Sequence, residues 1–172
     1  MKKKLILLLC VYKILFGNDK EQSTWSVVHK KIYAEHDREH NGREGVAFFS
    51  KVHTYPFTQL ILCWNAEGDE DQLDFFVRLR VISGSKKEWD GWHKVATWSK
   101  KLRRSFFNRT SHSVNHYVRL EVNSSALGIG FEIKVEGKSE ALEKLHGLFV
   151  CTSNLFTMNQ SPSLNKNLNK YL

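Results

Sequence analysis

The residues that most closely match a catalytic pattern are His36, Glu39 and His40, which stand in the order H-x-x-E-H. In inverted zinc peptidases, two histidines with this spacing bind zinc from one face of a helix, and the glutamate acts as general base. Such a helix must be amphipathic, whereas residues 35–44 are polar throughout and include an Asn-Gly turn sequence. We therefore predict a solvated loop. A zinc peptidase that uses His36 and His40 is the alternative, and zinc analysis of a His36→Ala variant would test it.

Cys63 and Cys151 are the cysteines that remain once residues 1–17 are set aside. Both lie in apolar segments, where a reactive thiolate is not stabilised, so a catalytic cysteine is disfavoured. Two interpretations stay open: a disulfide that closes a long loop and contributes about 4 kcal/mol, or two buried thiols. The sequence contains no complete catalytic set and no phosphate-binding glycine loop. We therefore predict no cofactor and favour a non-catalytic protein.

Trp89 and Trp92 flank an Asp-Gly turn sequence and are the tryptophans that we expect to be exposed. On the face of a β-sheet, exposed indole rings can stack against the C–H faces of sugar rings. Together with the adjoining His93, they are the candidate ligand-binding residues. Trp64 and Trp98 continue the apolar faces of their segments and are predicted to belong to the core.

Apolar and polar residues alternate along much of the chain. In residues 75–81 the odd-numbered positions are apolar, while Arg78 and Arg80 fall on the opposite face. The same alternation occurs in residues 118–122 and 131–135. Further strands are predicted at residues 24–33, 46–52, 57–64, 93–98, 102–107 and 145–152, and a helical turn at residues 139–144. Many short strands with little helix indicate an all-β fold, an antiparallel β-sandwich resembling a jelly roll with about eight or nine strands.

The two ends of the 172-residue chain depart from this alternation. Residues 1–17 begin with three lysines after the initial methionine, continue with a short apolar run and end at Gly17, which predicts a secretory signal peptide. The run is well short of the roughly 20 residues that span a bilayer, so no transmembrane span is expected after signal removal. We predict a β-sandwich domain at residues 18–153, a disordered tail or linker stump at residues 154–172, and a secreted, periplasmic or cell-surface location.

The formal net charge of +8 falls to +4 without the four lysines of residues 1–17. A basic cluster with interleaved aromatic residues remains, consisting of Lys100, Lys101, Arg103, Arg104, Arg109, Phe106 and Phe107. This composition is typical of single-stranded nucleic-acid surfaces, but also of an edge strand whose charges prevent aggregation. We favour the edge strand, do not expect a nucleic-acid partner, and consider an anionic wall polymer or a membrane surface the better match.

Residues 57–153 resemble a known family in several of these segments. The resemblance is carried by residues 57–66, residues 76–81, the turn Trp89-Asp90-Gly91-Trp92, and Trp98. They are similar to the N-terminal β-sandwich region of bacterial exported proteins whose C-terminal part is a papain-like cysteine peptidase of the bacteriocin-processing kind. In that family a W-N-A strand end, an R-x-R strand and a W-S-x-W turn recur. Its catalytic residues lie in the peptidase part, and none of them is matched by a residue of this chain.

The resemblance implies an exported, non-catalytic accessory or substrate-recognition module, with a peptide ligand or a separate peptidase chain as partner. The first alternative is a carbohydrate or cell-wall binding module that holds a wall glycan with Trp89 and Trp92. The second is a peptidase, either a zinc enzyme at His36 and His40 or one subunit of a split cysteine peptidase.

Overall fold

Twelve β-strands and two short helices form the described part of the chain, which comprises residues 26–32, 45–68 and 70–158 of a computed structural model. The strands are β1 (Ser26–Ile32), β2 (Val46–Lys51), β3 (Gln59–Ala66), β4 (Leu73–Ser83), β5 (Lys86–Trp89), β6 (His93–Trp98), β7 (Arg103–Ser105), β8 (Phe107–Arg109), β9 (Ser113–His116), β10 (Arg119–Val122), β11 (Leu127–Gly137) and β12 (Leu145–Ser153). The helices are Ser139–Glu143 and Leu155–Met158, and no described helix is long and apolar enough to cross a membrane. The predicted signal peptide, His36 and His40, and residues 159–172 of the predicted tail lie outside the described residues.

The strands form two antiparallel sheets. The first sheet has the order β1-β12-β3-β10-β9-β8, and the second has the order β2-β11-β4-β6-β7, with β5 paired to the end of β4. Late strands are thus inserted between early ones, since β12 lies between β1 and β3, and β11 lies between β2 and β4. This interleaving is the topology of a jelly roll. It confirms the prediction of an all-β antiparallel sandwich.

The core lies between the sheets and follows the alternation of the sequence. The buried side chains of β4 are Leu73, Phe75, Val77, Leu79 and Val81. Trp64 stacks on Phe75 with a distance of 4.4 Å between ring centroids, and meets the ring of Trp98 edge-on at 5.8 Å. Trp64 and Trp98 therefore pack against the core, as predicted. The long strands β4 and β11 thus bury one face and leave the other partly open to solvent.

The observed strands overlap every predicted segment, and β6 matches residues 93–98 at both ends. Their number exceeds about eight or nine because the short strand β5 was not predicted and because the predicted strand at residues 102–107 covers parts of both β7 and β8. The predicted strand at residues 102–107 is divided at Phe106, where the chain leaves the second sheet and joins the first. Local alternation does not reveal such a change of partner. Leu155–Met158 is helical and lies within residues 154–172, which were predicted to be a disordered tail or linker stump.

Candidate ligand-binding surface

An interruption between β5 and β6 brings Trp89 and Trp92 to the outer face of the second sheet. Both strands pair with β4, so residues 90–92 pass alongside the middle of that strand. Trp89 lies opposite Arg80, on the outer side of the sheet. Trp92 directly precedes the inward-facing His93 and therefore also points outward. We call residues 89–92 the tryptophan loop.

Arg78 lies between the two indole rings of this loop. Its guanidinium carbon is 4.9 Å from the ring centroid of Trp89 and 4.7 Å from that of Trp92. Two nitrogens of the same guanidinium contact one carboxylate oxygen of Glu132, Nε at 2.7 Å and Nη2 at 2.6 Å. Each contact between a guanidinium and an indole contributes about 0.5–2 kcal/mol, and the carboxylate orients the guanidinium plane. The two rings, Arg78 and Glu132 therefore form one preorganised unit.

A row of cations and aromatic rings continues from this unit across the sheet. The ammonium nitrogen of Lys134 lies 5.2 Å from the ring centroid of Trp92 and 4.7 Å from that of Phe76. The ammonium nitrogen of Lys94 lies 5.8 Å from the Phe76 centroid and 5.2 Å from the Phe106 centroid. We call this surface the outer aromatic face. Its residues are Phe76, Arg78, Trp89, Trp92, Lys94, Phe106, Glu132 and Lys134.

The cations at the centre of the outer aromatic face each have a carboxylate partner. The pairs are Arg78–Glu132 at 2.6 Å, Lys94–Asp74 at 2.9 Å and Lys134–Glu136 at 2.6 Å. Their charges are therefore balanced within the surface itself. Hydrogen-bond donors and acceptors stand next to each other, and both adjoin the faces of aromatic rings.

Trp89 and Trp92 are half-buried. The cause is local, because the guanidinium of Arg78 lies over both rings. The expectation that both tryptophans are exposed is therefore corrected: each ring has a cation against it and leaves only part of its surface to solvent.

A shallow depression of about 260 Å³ adjoins the outer aromatic face at the beginning of β4 and the end of β11. It is lined by Asp71, Gln72, Asp74, Glu136, Gly137 and Lys138. Its acids are paired, since Asp71 contacts Lys138 at 2.8 Å while Asp74 and Glu136 belong to the ion pairs described above. The depression extends the surface with polar groups rather than with an unpaired charge.

Five polar side chains form a buried polar network behind the tryptophan loop, between the two sheets: Asp90, His93, Asn108, Thr110 and Ser113. His93 and Ser113 are fully buried, and Asp90 is 6% exposed. The Oδ2 atom of Asp90 accepts hydrogen bonds from the hydroxyls of Ser113 at 2.6 Å and Thr110 at 2.5 Å. The Nε2 atom of His93 lies 2.8 Å from Ser113 Oγ, while its Nδ1 atom contacts Asn108 Oδ1. The network ties the tryptophan loop to β8 and β9 of the first sheet.

Ser113, His93 and Asp90 have the residue types of a hydrolytic triad, but not its arrangement. In a triad the carboxylate holds the histidine nitrogen that faces away from the serine. Here the Asp90 carboxylate bonds to Ser113 directly, and His93 Nδ1 faces the amide of Asn108 instead. Ser113 is also fully buried. The arrangement is therefore that of a structural link between sheets.

Both ring nitrogens of His93 contact polar neighbours in this network. The amide nitrogen of Asn108 donates to the carbonyl of Lys94 at 2.7 Å, so the amide oxygen faces His93 and accepts a hydrogen bond from Nδ1. Burial lowers the pKa of His93, against the opposing effects of the Asn108 hydrogen bond and the charge of Asp90. His93 is fully enclosed. It does not reach the outer face, which corrects its prediction as a ligand-binding residue.

Asp90 is ionised within the same network. Burial by itself would raise the pKa of this carboxyl, but hydrogen bonds from Ser113, Thr110 and the Gly91 amide outweigh burial and lower it. The Gly91 amide donates to Asp90 Oδ1 at 2.9 Å. The carboxylate therefore accepts bonds from its own loop and from the opposite sheet at once.

Cys63 and Cys151 are free cysteines on the first sheet. Cys63 lies opposite Phe149 in register and Cys151 lies opposite Ile61, so the two cysteines are diagonal neighbours on β3 and β12. Cys63 is exposed and Cys151 is half-buried. The sequence left open a disulfide or two buried thiols. In the structure both thiols are free, but Cys63 is at the surface rather than buried.

Within residues 26–32, 45–68 and 70–158, no group of three or more His, Cys, Asp or Glu side chains is placed to hold a metal ion. Comparison with protein-family models, with curated proteins and with solved structures found no match. The family resemblance of residues 57–153 therefore stays a prediction.

The sequence pattern singled out Trp89 and Trp92 but not the side chains that organise them. The alternation of β4 placed Arg78 on the outer side, yet it did not indicate that Glu132, at a separation of 54 residues, would be its partner. The available signal was the polar side of residues 131–135, where Glu132 and Lys134 stand. Which strands adjoin is a property of the folded sheet, and it was not available from that alternation.

Proposed function

We propose that this chain is an exported ligand-recognition module that binds a glycan on the outer aromatic face. The observation that carries the proposal is the guanidinium of Arg78, held between the rings of Trp89 and Trp92 and fixed by Glu132. A sugar presents C–H groups on its ring faces and hydroxyls at its rim, so a glycan surface needs aromatic rings next to oriented polar groups. The unit combines both on a rigid sheet.

The balance of charge favours a neutral glycan over an anionic polymer at this surface. Arg78, Lys94 and Lys134 already have carboxylate partners at 2.6–2.9 Å. An anionic ligand would have to displace those carboxylates or approach them closely, at an electrostatic cost. Sugar hydroxyls can donate to a carboxylate and accept from a cation simultaneously, so they can join these pairs without separating them.

Trp92 is the ring that we expect to stack on the sugar. Arg78 and Lys134 both project from the outer side of the sheet, and they lie 4.7 Å and 5.2 Å from the ring centroid of Trp92. We infer that the ring covers both side chains with the face turned towards the sheet. Its opposite face is then directed away from the sheet, where a sugar ring can approach.

Binding to insoluble peptidoglycan and to soluble N-acetylglucosamine oligosaccharides tests this proposal. We expect Trp92→Ala to weaken binding about tenfold or more, as is typical of an aromatic anchor. Phe107→Ala is the matched control, because Phe107 is an exposed aromatic residue on the first sheet and should be indifferent to the glycan. Wild-type protein that binds neither probe, or a Trp92→Ala variant with unchanged affinity, would show that the proposal is wrong.

A second pair of variants separates geometry from charge. Arg78→Lys keeps the positive charge but loses the planar group between the two indoles, so we expect several-fold weaker binding. Arg80→Lys is the control, since Arg80 is on the same side of the same strand and bonds to the carbonyl of Val52 at 3.3 Å. Equal affinities for the two variants would contradict the role assigned to Arg78.

Export and a link to a peptidase complete the proposal, and both rest on sequence features. If residues 1–17 are a signal peptide, mass spectrometry of the secreted or periplasmic protein should find a chain that begins near Asn18. A chain that retains residues 1–17 would oppose export. An accessory role beside a peptidase rests on the family resemblance, and a Cys/His peptidase reading frame directly downstream of the codon for Leu172 would support it.

A further inference from the structure

The segment from Arg103 to Arg109 forms an edge of both sheets. Strand β7 is the last strand of the second sheet, β8 is the last strand of the first, and only Phe106 separates them. This arrangement confirms the predicted edge strand. The side chains exposed along the segment are Arg103, Arg104, Ser105, Phe107 and Arg109. They follow an extended chain of roughly 20 Å in length.

The arginines of this edge differ from the cations of the outer aromatic face in their partners. Arg103 lies over the ring of Trp98 at 4.5 Å and Arg104 over the ring of Phe106 at 5.1 Å. Among the described residues, no carboxylate lies within ion-pair distance of Arg103, Arg104 or Arg109. The edge therefore carries positive charge that the described part of the protein does not neutralise.

Large apolar side chains are exposed beside these arginines. Leu102 is 46% exposed, Phe107 60% and Tyr117 59%. The amide of Tyr117 donates to the carbonyl of Phe106 at 3.0 Å, so the turn between β9 and β10 adjoins the edge. We call this surface the basic edge. Its residues are Leu102, Arg103, Arg104, Phe107, Arg109 and Tyr117.

The backbone at Tyr117 is in the left-handed region, with φ of 67°. This conformation costs a residue with a Cβ atom roughly 1 kcal/mol and favours glycine. The position nevertheless presents an aromatic side chain to solvent at the tip of a turn. A function for the exposed ring would explain why a tyrosine, rather than a glycine, occupies this backbone conformation.

We propose that the basic edge docks the protein onto the surface of an anionic lipid bilayer. The guanidinium groups of Arg103, Arg104 and Arg109 contact headgroup phosphates, while Phe107 and Tyr117 enter the interfacial region, where amphipathic rings are stabilised. The proposal does not depend on the glycan proposal, because none of the residues of the basic edge belongs to the outer aromatic face.

The combination of side chains favours a bilayer over a soluble polyanion. A hydrophilic polymer would pair with the arginines but leave Leu102, Phe107 and Tyr117 in water, whereas a bilayer gains from both charge and apolar area. The bases of single-stranded nucleic acid could stack on the two rings, but they would gain little from contact with the aliphatic side chain of Leu102. Leu102, Phe107 and Tyr117 also belong to an edge and a turn, which can meet a planar surface directly.

Sedimentation with vesicles tests the proposal. The full chain should bind vesicles of phosphatidylcholine with phosphatidylglycerol, and not vesicles of phosphatidylcholine alone. Replacing Arg103, Arg104 and Arg109 together with Gln should weaken binding about a hundredfold, from about fivefold for each charge near the surface. Lys100→Gln with Lys101→Gln is the matched control, because both lysines already contact Glu70, at 3.4 Å and 2.6 Å, and a much smaller loss is expected.

Tyr117→Gly gives a test that does not depend on a destabilised fold. Glycine relieves the left-handed backbone, so unfolding should be no easier than in the wild type, while vesicle binding falls roughly tenfold with the loss of the ring. Trp92→Ala should bind vesicles normally, which distinguishes this proposal from the glycan proposal. Failure to bind anionic vesicles, unchanged binding in the triple arginine variant, or binding of an oligonucleotide or polyphosphate that displaces the vesicles at equal charge would overturn it.

Discussion

The carboxylate of Asp90 accepts a hydrogen bond of 2.6 Å from the hydroxyl of Ser113, and this contact joins the two sheets of the sandwich. Asp90 lies in the tryptophan loop of the second sheet, whereas Ser113 begins β9 of the first. The rings that hold Arg78 are therefore positioned from behind by a buried contact with the opposite sheet. Stability of the sandwich and geometry of the outer aromatic face are coupled at Asp90.

Asp90→Asn should lower the free energy of unfolding by about 2 kcal/mol. The substitution replaces a buried charged acceptor by an amide that accepts more weakly and whose NH₂ group requires an acceptor of its own. Urea unfolding followed by tryptophan fluorescence measures the effect. Glu121→Gln is the control, because its side chain is 41% exposed and the expected change is below about 0.5 kcal/mol. Similar losses in both variants would contradict a special role for Asp90.

Stability should decrease as the pH falls below about 6.5, the ordinary pKa of histidine. Burial lowers the pKa of His93, and burial followed by the charge of Lys51 lowers the pKa of His29. Between those lowered values and about 6.5 the unfolded chain binds more protons than the folded chain, so stability rises with pH through this window and is fully present above it. One histidine can change the free energy by at most about 1.4 kcal/mol per pH unit.

Urea midpoints measured from about pH 8 to about pH 5 would report this dependence. His93→Gln should reduce the slope of stability against pH, because the glutamine does not titrate. The absolute stability of the variant is not the readout, so a destabilised variant remains informative. A slope that is unchanged in both His93→Gln and His29→Gln would rule out these two residues as its source.

The alternation of apolar residues was sufficient to predict the sandwich, because the strands that form the core bury one face. In β4, Phe75 and Val77 are fully buried while Arg78 faces outward, as the period of two requires. This alternation is a property of a single strand, so it can be recognised without knowing which strands are its neighbours. The same locality explains why the division of the strand at Phe106 was missed.

The candidate site was only partly predictable, because its geometry comes from contacts between distant segments. Asp90 was interpreted only as one residue of an Asp-Gly turn, whereas it is 6% exposed and accepts hydrogen bonds from the hydroxyls of Thr110 and Ser113. Arg78 contacts both Trp89 and Trp92 for a similar reason, since the loop lies along β4. Composition identified the aromatic residues, but cross-strand register decided what they touch.

Gly128→Ala should destabilise the sandwich by about 3 kcal/mol. A Cβ atom at this position would lie 2.2 Å from the ring of Phe57, which is fully buried and has little room to move. Phe57 and Gly128 also exchange two backbone hydrogen bonds of 2.9 Å and 2.8 Å, so neither backbone can withdraw easily. Chemical denaturation measures the loss.

Gly84→Ala is the control for this substitution. Nothing lies within 4 Å of a Cβ atom at Gly84, but its φ of +59° disfavours a side chain. We expect a cost of about 1 kcal/mol from the backbone alone. A Gly128→Ala variant no less stable than Gly84→Ala would mean that the Phe57 ring relaxes more readily than its packing indicates.

Cys63 and Cys151 should remain unbridged when the protein is kept in air. Diagonal neighbours on antiparallel strands have Cα atoms about 7–8 Å apart, whereas disulfides require about 4.4–6.8 Å. Although Cys63 lies at the surface, desolvation of its thiol by the surrounding protein, and then the neighbouring Cys151, raise the pKa of Cys63. The thiol should therefore react with iodoacetamide slowly at neutral pH and faster in alkaline solution. Cys151 is half-buried, its Sγ 3.3 Å from the hydroxyl of Ser26, and should react more slowly still.

Peptide mass spectrometry gives both rates, and urea midpoints with and without reductant should coincide. A lower urea midpoint after reduction, equivalent to a loss of up to about 4 kcal/mol in the free energy of unfolding, would instead reveal a disulfide. Such a bond would require β3 and β12 to lie closer together at these positions.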